Sequence, residues 1–311
     1  MEEKNIQGRR NFFRKSLAAG LMSAGGLSVL NGCTKETSEG GEKIKVMTTD
    51  GRLVEVDSTS LKSVSTEPAV GAEARKGIPG RKFVMVIDLG RCKNAGACTT
   101  SCQKGHDLAA DQDWMKILLL RNTKETEPYW FPKPCFHCDN PPCVKVCPVD
   151  ATFKRDDGIV LVDNDRCIGC KFCMSACPYS ARIFNWEDPP ESEIEDVEYS
   201  PETSVPAKVG TIGKCDFCPD LSRKGELPHC VTGCPNGAIY FGDANEDAVS
   251  NGEEMVRLQT LLTDRSAYRH LEELGTEPRV YYLPPTERMF PYERGLEGLS
   301  EEEMALYDDI L

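Results

Sequence analysis

The chain has little positive charge, no long hydrophobic run and no nucleotide- or pterin-binding fingerprint, and each shortage removes a class of function. Lys and Arg number 37 against 50 Asp and Glu, a formal net charge of −13. Five of those cations fall in the first 32 residues, so the rest is more acidic still, and nucleic acid is not expected as a partner. The longest uncharged apolar stretch, Ser16 to Leu30, is rich in Gly, Ala and Ser and falls short of the roughly 20 residues a bilayer-spanning helix needs. Without a phosphate- or pterin-binding fingerprint no residue need do substrate chemistry, so no catalytic residue is assigned and catalysis is expected in a partner. With 40% hydrophobic residues over 311 positions the chain can bury one sizeable core or two small ones, which excludes disorder and fibrous classes.

What the chain has in abundance is cysteine, 16 residues, of which fifteen fall in four tight groups. Group three is Cys167-x2-Cys170-x2-Cys173-x3-Cys177-Pro178, the bacterial ferredoxin run letter for letter. Group two, Cys135-x2-Cys138-x4-Cys143-x3-Cys147-Pro148, is the same run widened by two residues within Asp139-Asn140-Pro141-Pro142. Group four, Cys215-x2-Cys218-x11-Cys230-x3-Cys234-Pro235, carries a longer insertion. Group one is Cys92-x5-Cys98-x3-Cys102, with Ala95 where the second cysteine of the run would stand. A disulfide needs Cα atoms about 5.5 Å apart with facing Cβ vectors, which neighbours this crowded rarely achieve. Paired zinc knuckles need fewer thiolates than these Cys-Pro runs supply, whereas a loop around a cubane presents three thiolates at three-residue intervals and sends the fourth to a second cluster.

The termini and linkers frame this region. Arg9 and Arg10, Phe12, Phe13 and Lys15 precede the apolar stretch, an order that resembles a twin-arginine signal, which exports folded, cofactor-loaded proteins. Leu30-Asn31-Gly32-Cys33 resembles a lipobox, with Cys33 the lipidated residue, although Asn31 departs from the small residue usual there. The expected location is therefore the periplasmic side of a bacterial inner membrane. Residues 34–80 read as a polar linker and a β-hairpin turning at Asp50-Gly51. Lys82 to Leu89, Gly158 to Asp163 and Gly237 to Asp243 read as strands beside cysteine groups, and Trp186 to Val205 as an exposed acidic excursion. Beyond Gly252 the pattern predicts helix through EEMVRLQTLL and SAYRHLEELG, a C-cap at Gly275, a strand at RVYYL and an acidic tail.

The stretch from Cys135 to Trp186 resembles the iron-sulfur subunits of the complex iron-sulfur molybdoenzymes, the dimethyl sulfoxide, tetrathionate, polysulfide and thiosulfate reductase types, and the resemblance covers roughly residues 82–245. It implies an α+β fold of tandem ferredoxin-like units with paired clusters, an N-terminal hairpin extension and a C-terminal helical extension. The expected divisions are residues 1–33 (signal), 34–80 (linker and hairpin), 81–129 with 205–245 (groups one and four), 130–190 (groups two and three) and 246–311 (C-terminal region). It further implies one cluster on Cys135, Cys138, Cys143 and Cys177, a second on Cys147, Cys167, Cys170 and Cys173, and a third on Cys102, Cys215, Cys218 and Cys230. The last set has only Cys92, Cys98 and Cys234, so three [4Fe-4S] clusters and one [3Fe-4S] cluster are expected, although a fourth ligand from a nearby Asp or His, or an empty site, stays open. His106, His137 and His229 lie close enough in sequence to donate to cluster sulfur, and Lys171 and Arg166 to tune charge, or each simply packs or is solvated. The implied function is an electron relay between a quinol-reactive membrane subunit and a molybdopterin catalytic subunit. A quinol-oxidising complex resembling alternative complex III and a freestanding exported polyferredoxin are the alternatives.

Overall fold

A computed structural model describes residues 43–47, 53–57, 69–121, 128–187, 199–203 and 208–286; Arg9, Arg10, Cys33, the Asp50-Gly51 turn and the acidic tail lie outside them. Strand β1 (Lys43–Met47) pairs antiparallel with β2 (Leu53–Asp57), Met47 opposite Leu53. After α1 (Gly71–Lys76), β3 (Phe83–Asp88) runs into group one, whose helix α2 (Ala97–Gly105) carries Cys98 and Cys102. A hairpin of β4 (Lys116–Leu120) and β5 (Tyr129–Lys133) leads to group two on α3 (Pro142–Lys145). Next come β6 (Thr152–Lys154), β7 (Val160–Val162) and group three on α4 (Phe172–Ser175). Strands β8 (Ile183–Phe184) and β9 (Ile212–Gly213) close the base of the excursion, and group four follows on α5 (Pro219–Arg223) and α6 (His229–Thr232). The described chain ends with β10 (Ile239–Asp243), β11 (Ala248–Ser250), β12 (Met255–Arg257), α7 (Leu258–Asp264) and β13 (Val280–Leu283).

The two cysteine-bearing units share one plan. In the inner unit β6, which follows the Cys-Pro of group two, pairs antiparallel with β7, which precedes group three. In the outer unit β10, which follows the Cys-Pro of group four, pairs antiparallel with β3, which precedes group one, with Ile239 opposite Ile87. The helices that hold the cysteines pack in the same combinations, α3 on α4 and α2 on α6. One unit is thus continuous in sequence and the other is wrapped around it. Strand β3 is buried along its whole length, which explains its unbroken apolar run: β10 covers one edge and β13, running parallel, the other. Phe83 stacks on Phe241 at 5.5 Å, and the apolar cluster they belong to contains cysteines of groups one, two and four, so the core and the cysteine sites are one region.

Two expectations need correction. The described part of the C-terminal extension, up to residue 286, is mostly not helical. Met255 and Val256 extend the sheet against β11, whose edge would otherwise be open, and α7 begins only at Leu258, with Gln259 N–H donating to Asp247 Oδ1 at 2.7 Å. From Ser266 to Leu271 the backbone turns outward to β13, where Tyr268 and Tyr282 exchange N–H···O bonds at 2.9 and 2.8 Å, leaving those groups unavailable to a helix. A single 3₁₀ turn, Glu272–Leu274, is capped by Gly275 at φ 65°. The acidic excursion is likewise not all exposed: Ser200 and Glu202 are buried, because Glu202 pairs with Arg155 and Arg223. Among the described residues no helix is long and apolar enough to cross a membrane.

Candidate iron-sulfur cluster sites

Each Cys-Pro run makes the same local bond. Proline cannot continue the preceding turn, and the chain bends so that the amide four residues after the cysteine reaches its sulfur. Ala151 N–H donates to Cys147 Sγ at 3.2 Å and Ala238 N–H to Cys234 Sγ at 3.4 Å, and the Ala181 amide bonds Cys177 in the same way. At Cys147, where Thr152, Val149 and Ala151 amides converge, these bonds outweigh burial and hold the thiol below its usual range. Between the first two cysteines of group three, Gly169 is left-handed, φ 68°, and a Cβ there would lie 2.2 Å from the Gly210 carbonyl oxygen.

Cysteines from distant groups meet. Burial, then neighbouring Cys98 and Cys234, push the Cys92 thiol up to about 12, and burial followed by Cys234 does the same to Cys98. Burial, then Cys218, Cys215 and Cys102, drive Cys230 well above its usual range. Cys135, Cys138, Cys143 and Cys177 line one cavity, three from group two and one from group three. The remaining set is more open: Cys170 is exposed, Cys147 and Cys167 are half-buried, and Cys173 is buried against Cys143 and Cys167. The sets also influence one another electrostatically in series: beyond burial, the charge of Cys98 raises Cys230, that of Cys135 raises Cys215, and that of Cys143 raises Cys173.

Buried thiols that repel one another's charge are unstable as thiolates unless a cation replaces their protons, and iron does so in a cluster. The donor set fits such groups. The same cavity is lined by Arg182, buried, whose Nη2 finds no acceptor among the described residues; its charge is opposed by burial but upheld by Cys143, Cys173 and Cys135. Arg182 had no local signal in the sequence beyond following a Cys-Pro run.

The histidines divide. His106 is buried, 3.7 Å from Cys102 Sγ and 3.6 Å from Cys218 Sγ, with its Nε2 3.1 Å from Asp216 Oδ1. Against burial, Asp216 and Cys218 raise it well above the usual histidine range. His137 is fully buried and accepts at Nδ1 from Val160 N–H at 3.0 Å while stacking on Phe217 at 3.7 Å; burial, then Lys214, push it well below the usual histidine range. His229 packs edge-on against His106. Lys171 sits 3.6 Å over the Trp186 ring and 4.0 Å over Phe184, and Arg166 pairs with Asp150 at the surface.

Paired ferredoxin units whose polythiol sites lie in series, with cysteine sulfur at their centre, define an electron-transfer protein. The 4Fe-4S dicluster domain matches residues 126–192 and 201–244, which hold groups two, three and four. The menaquinone reductase iron-sulfur cluster-binding subunit of Nitratidesulfovibrio vulgaris is 40% identical over 233 residues, covering 65% of this chain and 88% of that one. A selenate reductase subunit of Mesobacillus selenatarsenatis is 34% identical over 298 residues, 91% of this chain and 98% of its own. A tetrathionate reductase subunit of Salmonella typhimurium is 37% identical over 220 residues, 68% and 76% of the two chains. The chain belongs to the iron-sulfur subunits of the complex iron-sulfur molybdoenzyme family. It is an electron-transfer subunit of an oxidoreductase complex.

Proposed function

We propose that this subunit connects a quinol-reactive membrane subunit to a molybdopterin catalytic subunit, and that it holds three [4Fe-4S] clusters and one [3Fe-4S] cluster. The observation that carries this reading is that thiols of successive sets feel one another's charge, Cys98 at Cys230, Cys135 at Cys215 and Cys143 at Cys173, so four thiol sets follow one another in series. Bound clusters supply one-electron chemistry at potentials that ligand charge and hydrogen bonds set. The chain's own residues hold those groups apart at fixed spacing, exclude water and donate to sulfur. Cys135, Cys138, Cys143 and Cys177 would hold one, Cys102, Cys215, Cys218 and Cys230 another, and Cys147, Cys167, Cys170 and Cys173 the most exposed; Cys92, Cys98 and Cys234 would hold the three-iron cluster. The exposed Cys170, with Ile168, Phe172 and Trp186 also exposed around that set, supports exchange with a partner at this end. Menaquinone appears in the name of one relative, which supports a quinone on the membrane side.

The Arg9-Arg10 pair and Cys33 support export by the twin-arginine route and a lipid anchor on the periplasmic face. One preparation tests partners and location together. Affinity purification of the tagged chain from bacterial membranes should recover a large molybdenum-containing subunit and an integral membrane subunit, with a lipidated Cys33 at the mature N-terminus. A chain recovered alone, without molybdenum and with residues 1–32 still attached, would contradict the reading.

A further inference from the structure

A buried cation stands where the two thiol sets of the inner unit come together. Arg182, one residue before β8, is 4% exposed and lines the cavity of Cys135, Cys138, Cys143 and Cys177. Its Nη1 donates to Thr152 Oγ1 at 3.2 Å. Thr152, buried at the start of β6, in turn donates its N–H to Cys147 Sγ at 3.4 Å, in the neighbouring set. The guanidinium therefore reaches from the cavity of one set to the residue that hydrogen-bonds a cysteine of the next. Cys143 of the first set and Cys173 of the second are buried in one apolar cluster, so the two sets pack together in this part of the unit.

A guanidinium stays protonated at any working pH and has five N–H groups to place. Thr152 is a neutral acceptor and occupies one nitrogen, while Nη2 is buried and has no acceptor among the described residues. A buried charge with neither counter-charge nor acceptor is strongly destabilising, so negative charge in the cavity must answer it. Thiols are the acidic groups at hand: burial opposes the charge of Arg182, and Cys143, Cys173 and Cys135 uphold it. We propose that Arg182 is a positioning residue for electron transfer, a fixed cation between the two clusters of the inner unit that raises the potential of the cluster held by Cys135, Cys138, Cys143 and Cys177 and, to a smaller extent, that of the cluster on Cys147, Cys167, Cys170 and Cys173. The inference rests on the ligand assignment given under the proposed function. Reduction adds an electron to a cluster already negative through its thiolates, so a cation beside it stabilises the reduced state more than the oxidised one, and burial keeps salt from screening the effect.

Redox titration of the purified complex, followed by electron paramagnetic resonance, tests the cation. Arg182→Met, which keeps much of the side chain's length but not its charge, should lower the equilibrium constant for reducing the cavity cluster about tenfold, a downward shift of about 59 mV for one electron, and shift its inner neighbour downward by less. Arg182→Lys, which keeps the charge, should titrate close to the wild type. If Arg182→Met yields no complex, the same downward shift in Arg182→Gln decides. Cys138→Ser identifies the cavity cluster. Should Cys138→Ser alter one cluster that the uncharged variants do not shift, the role of Arg182 is wrong and the ligand assignment stands. Should Arg182→Lys shift that cluster as far as the uncharged variants do, Arg182 acts through packing and the charge claim fails. Should Cys138→Ser leave every cluster unaltered, the assignment fails and the inference with it.

Discussion

At position 95 the group-one run carries a methyl group, and a methyl offers no lone pair to an iron. One candidate to replace it is Asp88, whose charge is felt at Cys92, but that carboxylate is already occupied by Gly90 N–H at 2.9 Å and by Arg91 and Arg265 at 3.7 and 3.4 Å. The site on Cys92, Cys98 and Cys234 is therefore expected to hold three irons. Oxidised wild-type protein should give a near-isotropic three-iron resonance signal, and Ala95→Cys should abolish it by completing a cubane. Absence of the signal in wild type, with iron analysis supporting four cubanes, would show that a fourth ligand comes from elsewhere. The cysteines themselves were legible in the sequence because a cluster loop is a local object with fixed spacing. Arg182 was not, since it comes to line the cysteine cavity through tertiary folding from a position with no periodic or motif signal.

At the scale of elements, the strands beside the cysteine groups were readable as apolar runs, whereas the join between the two units was not. That join is a buried ion network. Arg155, in the β6–β7 turn of the inner unit, pairs with Asp157 and Glu202 at 2.5 Å each, and Arg223 at the end of α5 in the outer unit holds the other oxygen of Glu202 at 2.5 Å. Asp157 also accepts from Ile78 N–H at 2.9 Å, and Glu202 from Ala69 N–H at 2.9 Å, so the segment before β3 is tied in as well. An acidic, proline-containing stretch reads as solvated because nothing local reveals that two arginines await its glutamate. Glu202→Ala would leave both guanidiniums without their shared partner, at a cost of about 3–5 kcal/mol. The melting temperature of the purified complex, compared at one scan rate, should fall by about 10 °C; an unchanged value would mean the units are joined elsewhere. Burial opposes the Glu202 charge, but Arg223 and Arg155 prevail and hold its carboxyl below the usual range. Its contribution is therefore present above the unfolded value of about 4.3 and is lost as pH falls through the lower folded value.

Across the whole molecule, one ferredoxin unit is inserted within another, and the charge of Cys135 of group two is felt at Cys215 of group four. On the proposed relay this pair marks the crossing from the outer pair of thiol sets to the inner pair. Repetition of the cysteine runs made the paired units legible, but the order of the sets in space follows from β3 pairing with β10 across the whole intervening sequence, a non-local contact no run of residues announces. The most direct test removes the inner side of that crossing. In the purified complex carrying Cys135→Ser, with loss or alteration of one cluster verified by iron analysis, quinol-linked turnover should fall at least about a hundredfold, while turnover driven by a soluble dye that reduces the catalytic subunit directly should persist. Quinol-linked turnover at the wild-type rate in a variant shown to lack that cluster would contradict the relay.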